Sequence, residues 1–469
     1  MSSFVGLNTA LSGLMAQRRA MEVAAQNIAN QNTEGYTRQR TEMASVGGNT
    51  VPAIHSTWQG AGAGVTVTGQ TRIRDAFLEG RSHVEGGRHA ELEGADAVLA
   101  SIEQAFGEPG TTGLQTQLAK MWSAFGQVED NPDSLAVRAT LIQQANGVTD
   151  VFHDMDRALT SASDAYSQKI DVLAAEVNST SAGVAEFNGA IKSATMAGLP
   201  ANELMDKRDV LVSKLATLVG ATAQPVANGV VNVSFGTPPA VSLVTGSTAE
   251  SVGVTRDAGN VITGLNVNLG ANVNLTGGTA RGLIDGVRTG GVIDSYRTQL
   301  DGLANQLANE VNAVHTAGYT IVNPPAAGAD LFGSSNGFIT AASLIVNITD
   351  PKGIAASSIN DGTGPNYDGA NAGKLQAVGL GPLSPDATYR QLVGGLGVSA
   401  QSSSRSLDVQ TSTLALINAS REAQSGVSTD EEMTQLLSYQ RAYEAAARVM
   451  TTVDSALDTL INRTGLVGR

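Results

Sequence analysis

The sequence predicts a mainly α-helical fold with inserted β modules: a terminal α-helical coiled coil, an elongated helical domain and a small β-rich outer domain. Three observations carry that prediction. Both ends of the chain show apolar residues at a seven-residue spacing, helical periodicity fills most of residues 76–219, and the texture turns β-branched and glycine-punctuated between 224 and 279.

The first helix is expected over residues 3–29. Leu7, Leu14, Met21 and Ile28 fill one heptad position without a break, and Phe4, Leu11 and Ala25 fill its partner position with Arg18 as the exception. The last forty residues repeat the pattern. Leu436, Tyr443, Met450 and Leu457 alternate with Tyr439, Ala446, Val453 and Leu460, a coiled-coil seam on one long helix. Ser428 and Thr429 each precede a glutamate by three residues (Glu431, Glu432), which reads as two overlapping capping boxes. One amphipathic helix cannot bury its own stripe, so the two ends are expected to pair.

Between them, Asn27, Asn30, Asn32 and Gly35 mark a helix stop and turn, since asparagine and glycine tolerate left-handed dihedrals. Tyr36 onward reads as extended. The run Gly60-Ala61-Gly62-Ala63-Gly64 precedes a strand (65–68), whereas a phosphate-binding loop requires its glycines between a strand and a helix; a flexible connector is the expectation. Helices follow over 76–219, broken at 107–110 and at 129–132, the second break being read as Asn131 at an N-cap with Pro132 at the first helical position. Strands are expected at 230–234, 240–244, 251–255 and 265–269, a helix at 282–316, an irregular insertion with a strand at 343–347, and a last inner helix over 389–423. The resulting division is 1–45 with 425–469 as the terminal coiled coil and 46–75 as connector. Residues 76–222, 282–320 and 388–424 form the helical domain, with 223–281 and 321–387 inserted.

Composition narrows the function. A net charge of −14 argues against nucleic acid or an anionic membrane as partner, because both need a basic footprint. With no cysteine there is neither a disulfide nor thiolate chemistry. The N-terminus shows no basic, then apolar, leader pattern, and no window reaches the ~18 apolar residues of a membrane span. Composition alone points to the cytoplasm. His55, His83, His89, His153 and His315 lack zinc spacing, Asp154 and Asp156 beside His153 face different sides of a helix, and Asp130 and Asp133 are better explained by the turn between helices than by a cation. No hydrolase, Walker or metalloprotease motif occurs, so neither a catalytic site nor a cofactor is expected.

One stretch identifies more. Asn27-Ile28-Ala29-Asn30-Gln31-Asn32-Thr33-Glu34-Gly35-Tyr36-Thr37-Arg38-Gln39, after an amphipathic helix, resembles the N-terminal signature of bacterial flagellar axial proteins, the rod, hook and hook-associated proteins. Ser425-Gly426-Val427-Ser428, Asp430-Glu431-Glu432-Met433, Tyr439-Gln440, Ala442-Tyr443, Ala445-Ala446-Ala447-Arg448-Val449-Met450 and Leu460-Ile461-Asn462 resemble the C-termini of the hook-associated group that joins hook to filament. The resemblance implies a secreted structural protein of the hook–filament junction, exported unfolded and without a cleaved signal. It implies a ring of like subunits, contacts with the hook protein and a second junction protein, and an export chaperone on the C-terminal helix. The assembly surface it suggests comprises Phe4, Leu7, Leu11, Leu14, Met21, Ile28, Asn30, Gly35 and Tyr36 with Leu436, Tyr443, Met450, Val453, Leu457 and Leu460. Alternatives are another axial protein of hook or rod type, a coiled-coil secreted adhesin, or an enzyme hidden in the β insertions. The C-terminal motifs and the absence of an anchor weigh against them.

Overall fold

Helices form where apolar residues recur at three and four, and they stop at glycines and prolines. The computed structural model describes residues 2–47, 62, 64–108, 110, 113–360, 362, 364–459 and 461. Within it α1 runs Ser2–Ala29, α2 Ala76–Phe106, α3 Leu114–Asp130, α4 Leu135–Met196 and α5 Asn202–Val219. After a β-rich stretch come α6 (Thr279–Val287), α7 (Val292–Thr316), α8 (Ala370–Ala377), α9 (Pro385–Ser425) and α10 (Thr429–Asp458). The architecture is mainly α with small sheets, as the sequence predicts.

Three local readings are corrected. Asn131 does not start α4. It ends α3, its backbone N–H donating to Gln127 O at 3.0 Å and its side chain to the same oxygen at 3.3 Å, while the Ser134 hydroxyl accepts from the Val137 N–H at 3.4 Å where α4 begins. An asparagine can serve the orphan carbonyls behind it as readily as the amides ahead. The helix expected over 282–316 is interrupted between α6 and α7, where Gly290 takes φ 71° and a side chain on Gly291 would sit 2.6 Å from Asp285 O. A further break separates α4 from α5 at Gly198 (φ 72°) and Pro200.

β1 (Gln39–Ser45) and β2 (Val65–Arg72) form an antiparallel pair, Gln39 opposite Arg72 and Ser45 opposite Val65. The chain between them, with most of the glycine run, lies outside the described residues. β3 (Thr222–Pro225), β4 (Val231–Phe235), β5 (Val241–Thr245) and β6 (Thr248–Ala249) make one antiparallel sheet. β7 (Val252–Arg256), β8 (Ile262–Val267) and β9 (Asn272–Val273) make another, and β10 (Phe332–Ser334) pairs with β11 (Leu344–Val346).

The chain divides into two compact units. The first comprises 1–87, 177–251 and 412–469; the second comprises 88–176 and 252–411. The cut falls between β6 and β7, so the stretch expected as one inserted β domain supplies a sheet to each unit. Period-two alternation marks strands but does not tell which strands share a sheet.

In the first unit, Val212, Leu215, Ala216 and Val219 of α5 are buried, as are Val177, Val184 and Ile191 of α4 and Val231, Val233 and Phe235 of β4. Asn188, fully buried on α4, donates to Val231 O and Gly246 O at 2.7 Å each and accepts from the Val231 N–H, pinning the sheet to the helix. In the second unit the core is larger-grained: Leu114, Leu118, Met121 and Phe125 of α3, Phe152 and Leu159 of α4, and Leu300, Leu303 and Leu307 of α7 are all buried. Phe106 packs edge-on to Tyr296 and stacks on Tyr389, with ring centroids 6.2 and 6.4 Å apart.

Candidate assembly site

Within the first unit α1 packs on α10 in antiparallel register. Gly6 faces Val453, Gly13 faces Ala446, and Asn27 reaches Glu432. The line that α1 buries is Ala10, Ala16, Ala20, Val23, Ala24 and Asn27, made largely of small side chains. Small residues let two helix backbones approach closely. The expected stripe lies beside this line: Leu7, Leu14, Met21 and Ile28 are half-buried, and Leu11 is 42% exposed. The heptad count locates an apolar stripe but not which flank of it faces the partner helix.

On α10, Leu436, Tyr439, Ala446, Met450, Val453 and Leu457 are half-buried and Tyr443 is exposed. The side chain of Phe4, and Leu460 as a whole, lie outside the described residues. The side chain that α10 buries is Glu432.

At the base of this pair the signature residues close a polar knot. Asn27 donates from Nδ2 to Gln39 O at 2.9 Å and to Glu432 Oε2 at 3.1 Å, while its Oδ1 accepts from the Tyr36 hydroxyl at 2.8 Å and the Gln39 N–H at 3.0 Å. Every valence of that buried amide is used. Arg38 donates from Nε to Glu432 Oε1 at 2.6 Å and from Nη1 to Glu431 Oε2 at 2.8 Å, and its backbone N–H donates to Ser425 O at 3.1 Å. The glutamates read as capping boxes are therefore spent on Arg38. Ser428 does occupy the N-cap of α10, without a side-chain cap bond. A guanidinium offering two charge-assisted bonds outcompetes a backbone amide.

Asn30 and Gly35 shape the turn. Asn30 donates to Gln26 O at 3.0 Å and accepts from the Thr33 hydroxyl at 3.2 Å. Gly35 holds φ 76°, and a Cβ there would lie 2.2 Å from a Val210 methyl, so only glycine fits.

Sequence reasoning missed the second layer. Arg72 donates to Asp206 Oδ1 and Asp209 Oδ2, both at 2.8 Å; Arg74 bonds Asp209 and Glu79; Arg208 bonds Asp209; and Asn202 donates to Gln39 Oε1 at 3.0 Å. The alternating charges of Arg72-Ile73-Arg74-Asp75 and Asp206-Lys207-Arg208-Asp209 were the available signal. Burial pulls the Asp209 carboxyl upward, but Arg74, Arg208 and Arg72 together hold it below the usual carboxylate range. Asp206 goes the other way, because burial outweighs its bonds from Arg72 and Thr37. Burial and the charges of Asp206, Glu432 and Glu203 push the Tyr36 phenol up to about 12, so it stays a donor to Asn27 at neutral pH.

This knot links residue 27 to residue 432 and is built from the motifs shared with axial proteins. Residues 7–37 match the family model for flagella basal body rod proteins, and residues 420–463 match the C-terminal model of flagellar basal body rod FlgEFG proteins. Residues 99–332 match the helical domain of the flagellar hook-associated protein FlgK. These matches support a hook-associated protein of the FlgK kind. A relative of that name from Bacillus subtilis (strain 168) is 29% identical over 511 residues, covering 100% of both chains. One from Escherichia coli (strain K12) is 25% identical over 556 residues, covering 98% of this chain and 100% of its own. The solved structure of the flagellar hook junction protein FlgK from Burkholderia pseudomallei shares the fold, with a TM-score of 0.62 at 15% identity over 74% of this chain and 100% of that one.

Proposed function

We propose that this chain is a structural subunit of the hook–filament junction of the bacterial flagellum, built into it through the paired α1 and α10. The observation that carries this reading is the knot: the axial-protein signature of one terminus is bonded, residue by residue, to the hook-associated motif of the other. The pair leaves apolar surface uncovered at Leu11, Met15, Met433, Leu437 and Val449. Large exposed apolar side chains along one rod mark a protein-binding surface. The occupants that fit are further copies of the chain in a ring, the hook protein below and a second junction protein above. Export proceeds without a cleaved leader, and a cytoplasmic chaperone covers the α10 face until assembly.

Met450→Glu tests the reading. A carboxylate in the α10 stripe costs several kcal/mol in each packed copy but little in a monomer whose stripe is half in water. The variant is expected to be produced and exported yet absent from the hook tip by immuno-electron microscopy, with filament protein shed into the medium. Arg441→Ala, on the exposed side of α10, assembles. Normal filaments on Met450→Glu cells would remove α10 as the contact surface.

A further inference from the structure

In the second unit, far along the sequence from the knot, residues 354–356 run through the interior and are held by side chains. Arg138 of α4 is fully buried and donates from Nε to Pro132 O at 2.9 Å and from Nη1 to Ile354 O at 2.6 Å; its Nη2 has no hydrogen-bond partner. Asn371 of α8 donates to Ala355 O at 2.8 Å and to Val314 O at 3.2 Å. His315, in the last turn of α7 and fully buried, accepts the Ala355 N–H on Nε2 at 2.9 Å and donates from Nδ1 to Ala329 O at 2.6 Å. The Ala355 amide can only donate, so Nε2 carries no proton and the ring is the neutral Nδ1–H tautomer. Gly328 closes against it: a Cβ there would lie 2.2 Å from His315 O and 2.9 Å from Nδ1.

We propose that His315 is an acid-sensitive latch, holding the 354–356 segment onto α7 while the imidazole is neutral and releasing it when Nε2 is protonated. A proton on Nε2 faces the Ala355 N–H, so that bond is lost. It also places a second buried cation near Arg138. The charged groups acting on the ring, among the described residues, are Asp330 from the insertion, which favours the charge, and Arg138 from α4, which opposes it; Asp133 lies beside Arg138. Burial is the largest influence and pushes the imidazole down to about 4, against the pull of the Ala329 carbonyl and Asp330. The released state, with histidine in water, takes its proton near the ordinary value of about 6.5. Latching is therefore complete above that value and weakens as pH falls from there toward 4.

Hydrogen exchange at the 355–357 amides, corrected for intrinsic rates and referred to Met121 and Phe125 of α3, reads the latch. Between pH 7 and pH 4.5 their relative protection is expected to fall on the order of fiftyfold in the natural protein. In His315→Gln, whose amide supplies one acceptor and one donor but cannot titrate, the fall shrinks to a few-fold. An equal fall in both proteins overturns the proposal. Should the variant not fold, the imidazole titration followed by NMR in the natural protein decides: a midpoint near 4 with opening in step supports the latch, and one near 6.5 with the loop still protected overturns it.

Discussion

Helices α7 and α10 are comparable in length, 25 and 30 residues, and each carries a regular apolar line. Their surroundings differ completely. α7 buries Ile293, Tyr296, Leu300, Leu303, Ala304, Leu307, Ala308, Val311 and His315, whereas α10 buries Glu432. The first helix is stabilised by its own chain. In the second, the one buried group is an anion whose partner sits at the other end of the sequence, and the apolar line stays half in water. An apolar line thus serves two ends: in α7 it builds a core, and in α10 it builds a surface that is completed only by a neighbour.

The contrast is broken most severely from the α7 side. Leu307→Ala opens a cavity in a fully buried site and is expected to cost about 2–5 kcal/mol in chemical denaturation of the second unit. Glu432→Ala comes next. It strips Arg38 and Asn27 of a bonded partner and should cost about 1–3 kcal/mol, seen as early proteolytic loss of both termini while α3 and α7 keep their exchange protection. Gly35→Ala forces a side chain into Val210 at a positive φ, with an expected loss of about 1–2 kcal/mol confined to the first unit. Smallest is Met450→Glu, half-buried on α10, which should lower the monomer's unfolding free energy by no more than about 1 kcal/mol. If it destabilises the monomer as Leu307→Ala does, α10 is a core helix and the contrast fails.

Much of this was legible in sequence because it is local. The helix breaks at 107–110 and 129–132 come from glycine and proline, and the antiparallel strands come from β-branched runs between turns. What was not legible depends on partners hundreds of residues apart. Glu431 and Glu432 satisfy the capping pattern, and it is Arg38, 393 and 394 residues away, with Asn27, 405 away from Glu432, that redirects them. Likewise, nothing in the spacing of Leu7, Leu14, Met21 and Ile28 reveals that Ala10, Ala16 and Ala20 would take the buried side. Asp206 and Asp209 look like ordinary solvent-facing helix charges until the β2 strand brings Arg72 over them.

The bond from Asn27 to Glu432 spans 405 residues of chain. A ribosome adding about 5–20 residues per second needs roughly 20–80 s to cover that interval. Throughout it α1 is already made while the helix it packs against does not exist. The buried line of α1, Ala10, Ala16, Ala20, Val23 and Ala24, therefore spends most of each round of synthesis in water, without its intramolecular partner. Aggregation of nascent chains should then depend on how fast the message is read, and slowing translation downstream of residue 29 should worsen it even when the finished protein is unchanged.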